Sequence, residues 1–182
     1  WMKWLATQQE TENGKTYPHI GAGTATGDWL AYDELDKRYV SVAYYAYVAQ
    51  LMDGVARVLD KTDDMMHYRQ LYHDIKKEFQ QRYVDADGNL NRTTQTAYLL
   101  ALRLGLLEEA HRQKACNALR EKIEQNGYRL STGFVGTGML NTTLSILGMD
   151  DLAYALLLQR ENPSWLYSVD QGSTTVWERW DS

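Results

Sequence analysis

Cysteine, proline and phenylalanine are scarce in this chain, at one, two and two of 182 residues. The single cysteine, Cys116, excludes an intrachain disulfide, and its helical setting points to buried packing. No apolar run approaches the roughly 20 residues that cross a bilayer as a helix. Lys and Arg are scattered and the formal net charge is −5, which argues against nucleic acid and anionic membrane surfaces as partners. No strand-like alternation of useful length is present. His67, His73 and His111 fall on helical stretches where they read as solvated, and His19 falls in a loop. None has a neighbour at metal-ligand spacing. Residues 85–89, DADGN, form a strong turn that resembles part of a calcium loop but lacks the glutamate that would complete it. No metal and no cofactor is expected.

What remains is an ordinary globular balance, 44% hydrophobic and 24% charged, in a length sufficient for one core. Thirteen Tyr and six Trp stand against the two Phe. Rings with a polar atom are preferred where one edge must stay wet, as in a sugar groove. Packing between helices accounts for most of the tyrosines. Trp1, Met2, Trp4 and Leu5 read as the end of a helix already under way. The chain is expected to be a piece of a longer protein, cut at both ends.

The period is helical over much of the length. Across residues 37–59, Val40, Ala43, Tyr44, Tyr47, Leu51, Val55 and Val58 recur at threes and fours, the mark of one buried face. Thr62 or Asp63 caps a second helix carrying Met66, Tyr72, Ile75, Phe79 and Tyr83. Residues 93–107 form a third, apolar nearly all round and so interior. Residues 108–125 form a strongly amphipathic fourth, stopped by Asn126 and Gly127. A short fifth covers 137–147, and Asp150 or Asp151 caps a sixth that ends near Gln159. More buried helices alternate with more amphipathic ones across short turns. That pattern predicts an all-α fold of helical hairpins in two concentric layers, about three of the six hairpins of an (α/α)6 toroid.

Three connections interrupt the helices. Residues 10–34 form a long loop broken by Gly14, Pro18, Gly21, Gly23 and Gly27; loops of this length are often functional. Within it, Gly27, Asp28 and Trp29 bring a flexible residue, an acid and an indole together. Asp28 and Trp29 are either site residues or a turn-forming carboxylate and a core plug. Residues 130–138, LSTGFVGTG, would let backbone approach a ligand closely, and lack the GK[ST] ending of a phosphate loop. Residues 172–181, GSTTVWERWD, place Glu178 between Trp177 and Trp180, with Arg179 as an adjacent cation. A carboxylate among indoles suits a carbohydrate site, where C–H faces stack on rings and an acid handles protons at the anomeric carbon. The plainer alternative makes Trp177 and Trp180, three apart, core residues at the start of a last helix. In a toroid, loops after alternate helices meet on one rim, so Trp29, Phe134 and Glu178 are expected together.

These segments carry a family resemblance. GDWL at 27–30, STGFVGTGML at 131–140 and DDLAYALLLQRENPSWLYSVDQGSTTVWERWD at 150–181 are similar to the C-terminal half of the catalytic domain of α-L-rhamnosidases, family 78 of the glycoside hydrolases. The resemblance covers essentially the whole chain, and its last part is the most specific. It implies an (α/α)6 barrel, with residues 1–182 as a single partial domain, and inverting cleavage of terminal α-L-rhamnosyl residues. By the same resemblance Glu178 is the general base and Trp29 lines the rhamnose pocket, while Trp177 and Trp180 are expected to support or border Glu178 and Phe134 to lie near the rim. Asp28, beside Trp29 in sequence, is counted with them as a candidate substrate-binding residue. The implied partner is a rhamnose-containing oligosaccharide or glycoside.

Two departures follow. The family's general acid, a glutamate in an upstream acidic motif with arginine and tryptophan, has no match here, and neither has a histidine-bearing segment that follows the WERWD region. Inversion needs two carboxyl groups roughly 6.5–9.5 Å apart, and this chain supplies one. The chain alone is therefore expected to be inactive, and the uncovered helix faces of a half toroid to favour self-association. Two alternatives stay open: a helical-toroid hydrolase for another sugar, and a helical carbohydrate-binding domain without catalysis.

Overall fold

The computed structural model describes residues 2–7, 9–17 and 26–180. The expectations for Trp1, Pro18, His19, Gly21, Gly23 and Asp181 lie outside the described residues. The elements in chain order begin with α1 (Met2–Leu5), β1 (Glu10–Glu12), β2 (Lys15–Tyr17), α2 (Lys37–Val58) and α3 (Thr62–Tyr83). They continue with α4 (Gln95–Arg103), α5 (Glu109–Gln125), α6 (Phe134–Thr137), α7 (Leu140–Ile146), α8 (Asp150–Leu158) and α9 (Trp165–Asp170). The chain is mostly helical, as its periodicity predicts.

The hairpins are α2 with α3, α4 with α5, and α7 with α8, and α4 also packs on α2 and on α7. Burial separates the two layers. Every residue of α4 from Gln95 to Leu102 is buried, whereas α3 and α5 each bury one stripe, led by Ile75 and Phe79 on α3 and Leu119 and Ile123 on α5. The inner helices α2, α4 and α7 thus form a short arc, and α3, α5 and α8 back it. This is part of an (α/α)6 toroid.

The layers are tied by a few polar groups within the apolar core. Tyr39 stacks edge-on against Phe79 and Tyr83, at 4.9 and 4.7 Å between ring centres, and its hydroxyl donates to the Ala97 carbonyl at 2.8 Å. Burial raises that hydroxyl's pKa well above the phenol range, and the neighbouring Tyr83 adds to the effect. Gln95, fully buried, donates through Nε2 to the Arg129 carbonyl and accepts the Ser131 amide on Oε1. A buried amide so paired costs little and sets the height at which the 130–138 loop leaves the core.

Several local expectations are corrected. On α2 only Val40 and Ala43 of the predicted stripe are buried, Tyr44 is half-buried, and Tyr47, Leu51, Val55 and Val58 are exposed; the helix instead buries Tyr39, Val42, Tyr45, Ala46 and Ala49. Lys61 and Met149 occupy the N-cap positions of α3 and α8 without side-chain caps, in place of Thr62 or Asp63 and of Asp150 or Asp151. The third helix stops at Arg103, where the chain turns through Gly105 at φ +65°. The predicted fifth helix, 137–147, is shortened to α7, and α6 is a separate short helix that meets that range only at Thr137. His111 is half-buried, and a Cβ on Gly88 would meet its ring at 2.3 Å. The β1–β2 hairpin was not expected; Asn13 and Gly14, both at positive φ, form its turn. No described helix is long and apolar enough to cross a membrane.

Candidate functional site

Three connections converge on one rim of the arc. The first runs from Thr26 to Asp36 and is held at its far end by Lys122, which pairs with Asp33 at 3.0 Å. The second is the loop at 130–138. The third is the strip at 172–180, which contains no helix among its residues, so Trp177 and Trp180 do not begin a last helix.

The first two connections are bonded along their length. The Phe134 amide donates to the Trp29 carbonyl at 3.0 Å, and the Asp33 amide to the Ser131 carbonyl at 3.2 Å. Asp28, 6% exposed, accepts the Val135 and Gly136 amides on Oδ1, at 2.8 and 3.0 Å. Its Oδ2 accepts the Gly133 amide at 2.8 Å and the Thr96 hydroxyl. The negative charge reaches as far as Tyr44, whose hydroxyl is pushed above the usual phenol range first by burial and then by Asp28. Asp28, expected beside the sugar, therefore has both oxygens engaged by the protein. The glycines are explained in the same way. A Cβ on Gly133 would lie 2.1 Å from the Trp29 carbonyl oxygen, and one on Gly136 would lie 2.2 Å from the Thr96 hydroxyl. At these two glycines the close approach is to protein backbone and side chain.

The third connection is docked by its indoles. Trp180 Nε1 donates to the Thr132 carbonyl at 3.1 Å, and its own carbonyl accepts from Asn162 Nδ2 at 2.6 Å. Its ring stands edge-on to Trp165 at 6.1 Å, as Trp177 does to Tyr167 at 6.3 Å. Glu178 projects from between them, exposed, and takes part in no ion pair among the described residues.

A cavity of about 190 Å³ lies where the three meet. Trp29, Phe134, Trp177, Glu178 and Trp180 all line it, so five of the six residues singled out from sequence share one space. A second cavity of about 460 Å³ lies beyond Trp29 and Trp180, which line both. Its other walls include Tyr32, Glu34, Lys37 and Arg179. Arg179 thus lines a different cavity from Glu178, its neighbour in sequence. Sequence reasoning missed Thr96 and the Tyr32, Glu34 and Lys37 walls of the second cavity, which lie outside the motifs, whereas Asp28, Trp29, Leu30, Arg179 and Trp180 in the same lining belong to them. Leu30, Thr137 and Val176, also lining the first cavity, lie within motifs but look unremarkable there.

Paired helices in two layers, with a rim cavity lined by indoles and one carboxylate, are the architecture of a helical-hairpin domain, and comparison with known proteins gives its class. The family model for the bacterial alpha-L-rhamnosidase six-hairpin glycosidase domain matches residues 1–182. An alpha-L-rhamnosidase of Streptomyces avermitilis is 42% identical over 180 residues, which are 98% of this chain and 17% of that protein. One of Formosa agariphila is 36% identical over 190 residues, 99% of this chain and 20% of its own length. Among solved structures, the Streptomyces avermitilis alpha-L-rhamnosidase complexed with L-rhamnose superposes with a TM-score of 0.90 at 40% identity, covering 100% of this chain and 17% of that one. The native enzyme of Aspergillus terreus gives 0.85 at 34% identity, covering 90% and 20%. The chain belongs to the bacterial alpha-L-rhamnosidase six-hairpin glycosidase family. It spans a fifth or less of the length of these relatives, 17–20%.

Proposed function

We propose that this chain is the C-terminal part of the catalytic barrel of an inverting α-L-rhamnosidase, and that it carries the general-base half of the site. Glu178 takes a proton from the water that attacks the anomeric carbon. Trp29, Phe134, Trp177 and Trp180 hold the sugar by its C–H faces and keep bulk water from it. The observation that carries this reading is the lining of one cavity by Glu178 together with those four rings. Its volume of about 190 Å³ is below the roughly 300–1,000 Å³ of sites for drug-sized ligands, a size that suits one sugar ring. The ligand is a terminal α-L-rhamnosyl group of a glycoside or oligosaccharide.

An inverting reaction requires a second carboxyl group, across the sugar from the base. Asp28 is engaged elsewhere, and the general acid comes from outside this chain. The isolated chain is accordingly a sugar-binding half-site without turnover. It also self-associates: the exposed stripe of α2 and the exposed Tyr154, Leu157 and Leu158 of α8 sit at the two ends of the arc, and a second copy covers them.

The test is hydrolysis of an aryl α-L-rhamnoside by the longer protein that contains this chain, with and without Glu178→Gln. A good aryl leaving group needs little protonation, so the assay reports mainly on the base. The expected loss is about 10²–10⁴-fold, with folding and L-rhamnose binding retained. Near-normal turnover by the variant removes Glu178 from the chemistry. Absence of turnover by the unmutated protein, with other aryl glycosides cleaved, transfers the reading to another sugar.

A further inference from the structure

Asp28 is a carboxylate at this rim for which the proposed chemistry has no use, and its two oxygens accept from four donors. Its four donors come from two places: Thr96 on the inner helix α4, and the amides of Gly133, Val135 and Gly136 in one turn. Trp29 follows Asp28 in sequence, and Phe134 lies within the turn that Asp28 grips. Both line the 190 Å³ cavity, and both are exposed, at 52% and 59%, so side-chain packing alone does not fix them. Their backbones are joined directly by the Phe134 amide on the Trp29 carbonyl, and Gly133 permits that approach because it has no Cβ.

We infer that Asp28 is a positioning residue for sugar binding, which sets the Trp29 and Phe134 walls of the cavity through the loop junction without touching the sugar itself. This rests on the reading of the cavity as the rhamnosyl site. The arrangement demands a carboxylate specifically. Each oxygen accepts at least one backbone N–H, and an amide side chain in either orientation would turn its NH₂ toward a donor. A buried donor left unpaired in this way pushes the two loops apart. An error of about 1 Å in such a wall is felt strongly in binding and orientation.

The experiment is a double-mutant cycle in the longer protein, with an aryl α-L-rhamnoside as probe, using Asp28→Asn, Trp29→Ala and the pair. Asp28→Asn is expected to raise KM about tenfold or more while kcat changes about threefold or less, and so to lower kcat/KM by about 30-fold. In the Trp29→Ala background the same substitution is expected to lower kcat/KM by about threefold or less, since one of the two walls it positions is already gone and only Phe134 remains. Equal losses in both backgrounds, or an unchanged KM, overturn the inference, because a purely structural residue would act independently of Trp29. If Asp28→Asn does not fold, Thr96→Val removes one donor and leaves the backbone junction whole. Its expected KM rise is about threefold with Trp29 present and clearly smaller without, and equal rises again overturn the inference. The single Trp29→Ala variant separates the two levels of reading. If it leaves KM unchanged, the cavity is not the sugar site and the proposed function fails. If it raises KM and Asp28→Asn does not, the positioning role alone fails.

Discussion

The loop junction around Asp28 and the strip that bears Glu178 lie on the same cavity and are built in opposite ways. The junction is buried, joined by backbone hydrogen bonds from both sides, and so close-packed that two glycines cannot accept a Cβ. The strip is exposed along most of its length and is held chiefly by two indoles and one carbonyl. Pre-formed walls bind a ligand without ordering cost, and a carboxylate that must receive a proton has to remain accessible to water. The rim thus pairs a closely bonded wall with an exposed carboxylate on a lightly tethered segment, the arrangement that the proposed role of Glu178 calls for.

The largest effect that would break this comparison is the loss of about 10²–10⁴-fold expected for Glu178→Gln in the longer protein, with unfolding unchanged. Gly133→Ala attacks the other side. Its Cβ would meet backbone at 2.1 Å, contact that no side-chain rotation relieves, so a destabilisation of about 3 kcal/mol is expected in denaturant unfolding. Trp180→Phe tests the tether. It removes the Nε1 donor to Thr132 and should lower stability by about 1 kcal/mol, with turnover falling more than sugar affinity. An unaltered kcat would show that Glu178 is held by something other than this indole.

Smaller effects sharpen the picture away from the rim. Light scattering on the isolated chain is expected to give a mass above the 21.0 kDa of one copy, and Leu51→Glu with Val55→Lys to return it to that value. A monomeric parent chain would remove self-association. The carboxyl of Asp85 is held below the ordinary range, first by the Asn89 side chain and then by backbone amides; that of Asp151 is lowered first by Arg120. Groups with depressed folded-state values stabilise the fold above their unfolded pKa and lose that contribution as pH falls through the folded one. Stability should therefore decline slightly on acidification below the ordinary carboxylate range of about 3.9, and Asp85→Asn should flatten the decline. Both groups are solvent-exposed, so these are the weakest effects expected.

The helices were legible because a 3.6-residue period is written into each stretch and needs no partner to be seen. Their ends were less so. The β1–β2 hairpin carried its signal in Asn13-Gly14, but its strands, ETE and KTY, are too short and polar to show alternation. The outer half of the α2 stripe read as buried because apolar spacing reports a face that wants a partner, not one that has it.

The composition of the candidate site was also local information: Trp29, Phe134, Trp177, Glu178 and Trp180 stood out by type and motif, and one cavity unites them. What each polar group does was decided only by the tertiary structure. Asp28 is committed by amides 105 to 108 residues away, and no local pattern distinguishes a carboxylate that will be gripped in this way from one that will face a ligand. Glu178 and Arg179 are adjacent in sequence yet line different cavities, and the docking of Trp180 on Thr132 fixes the strip between them. Period and residue type are properties of the chain nearby, whereas burial and hydrogen-bond partnership depend on which distant backbone arrives.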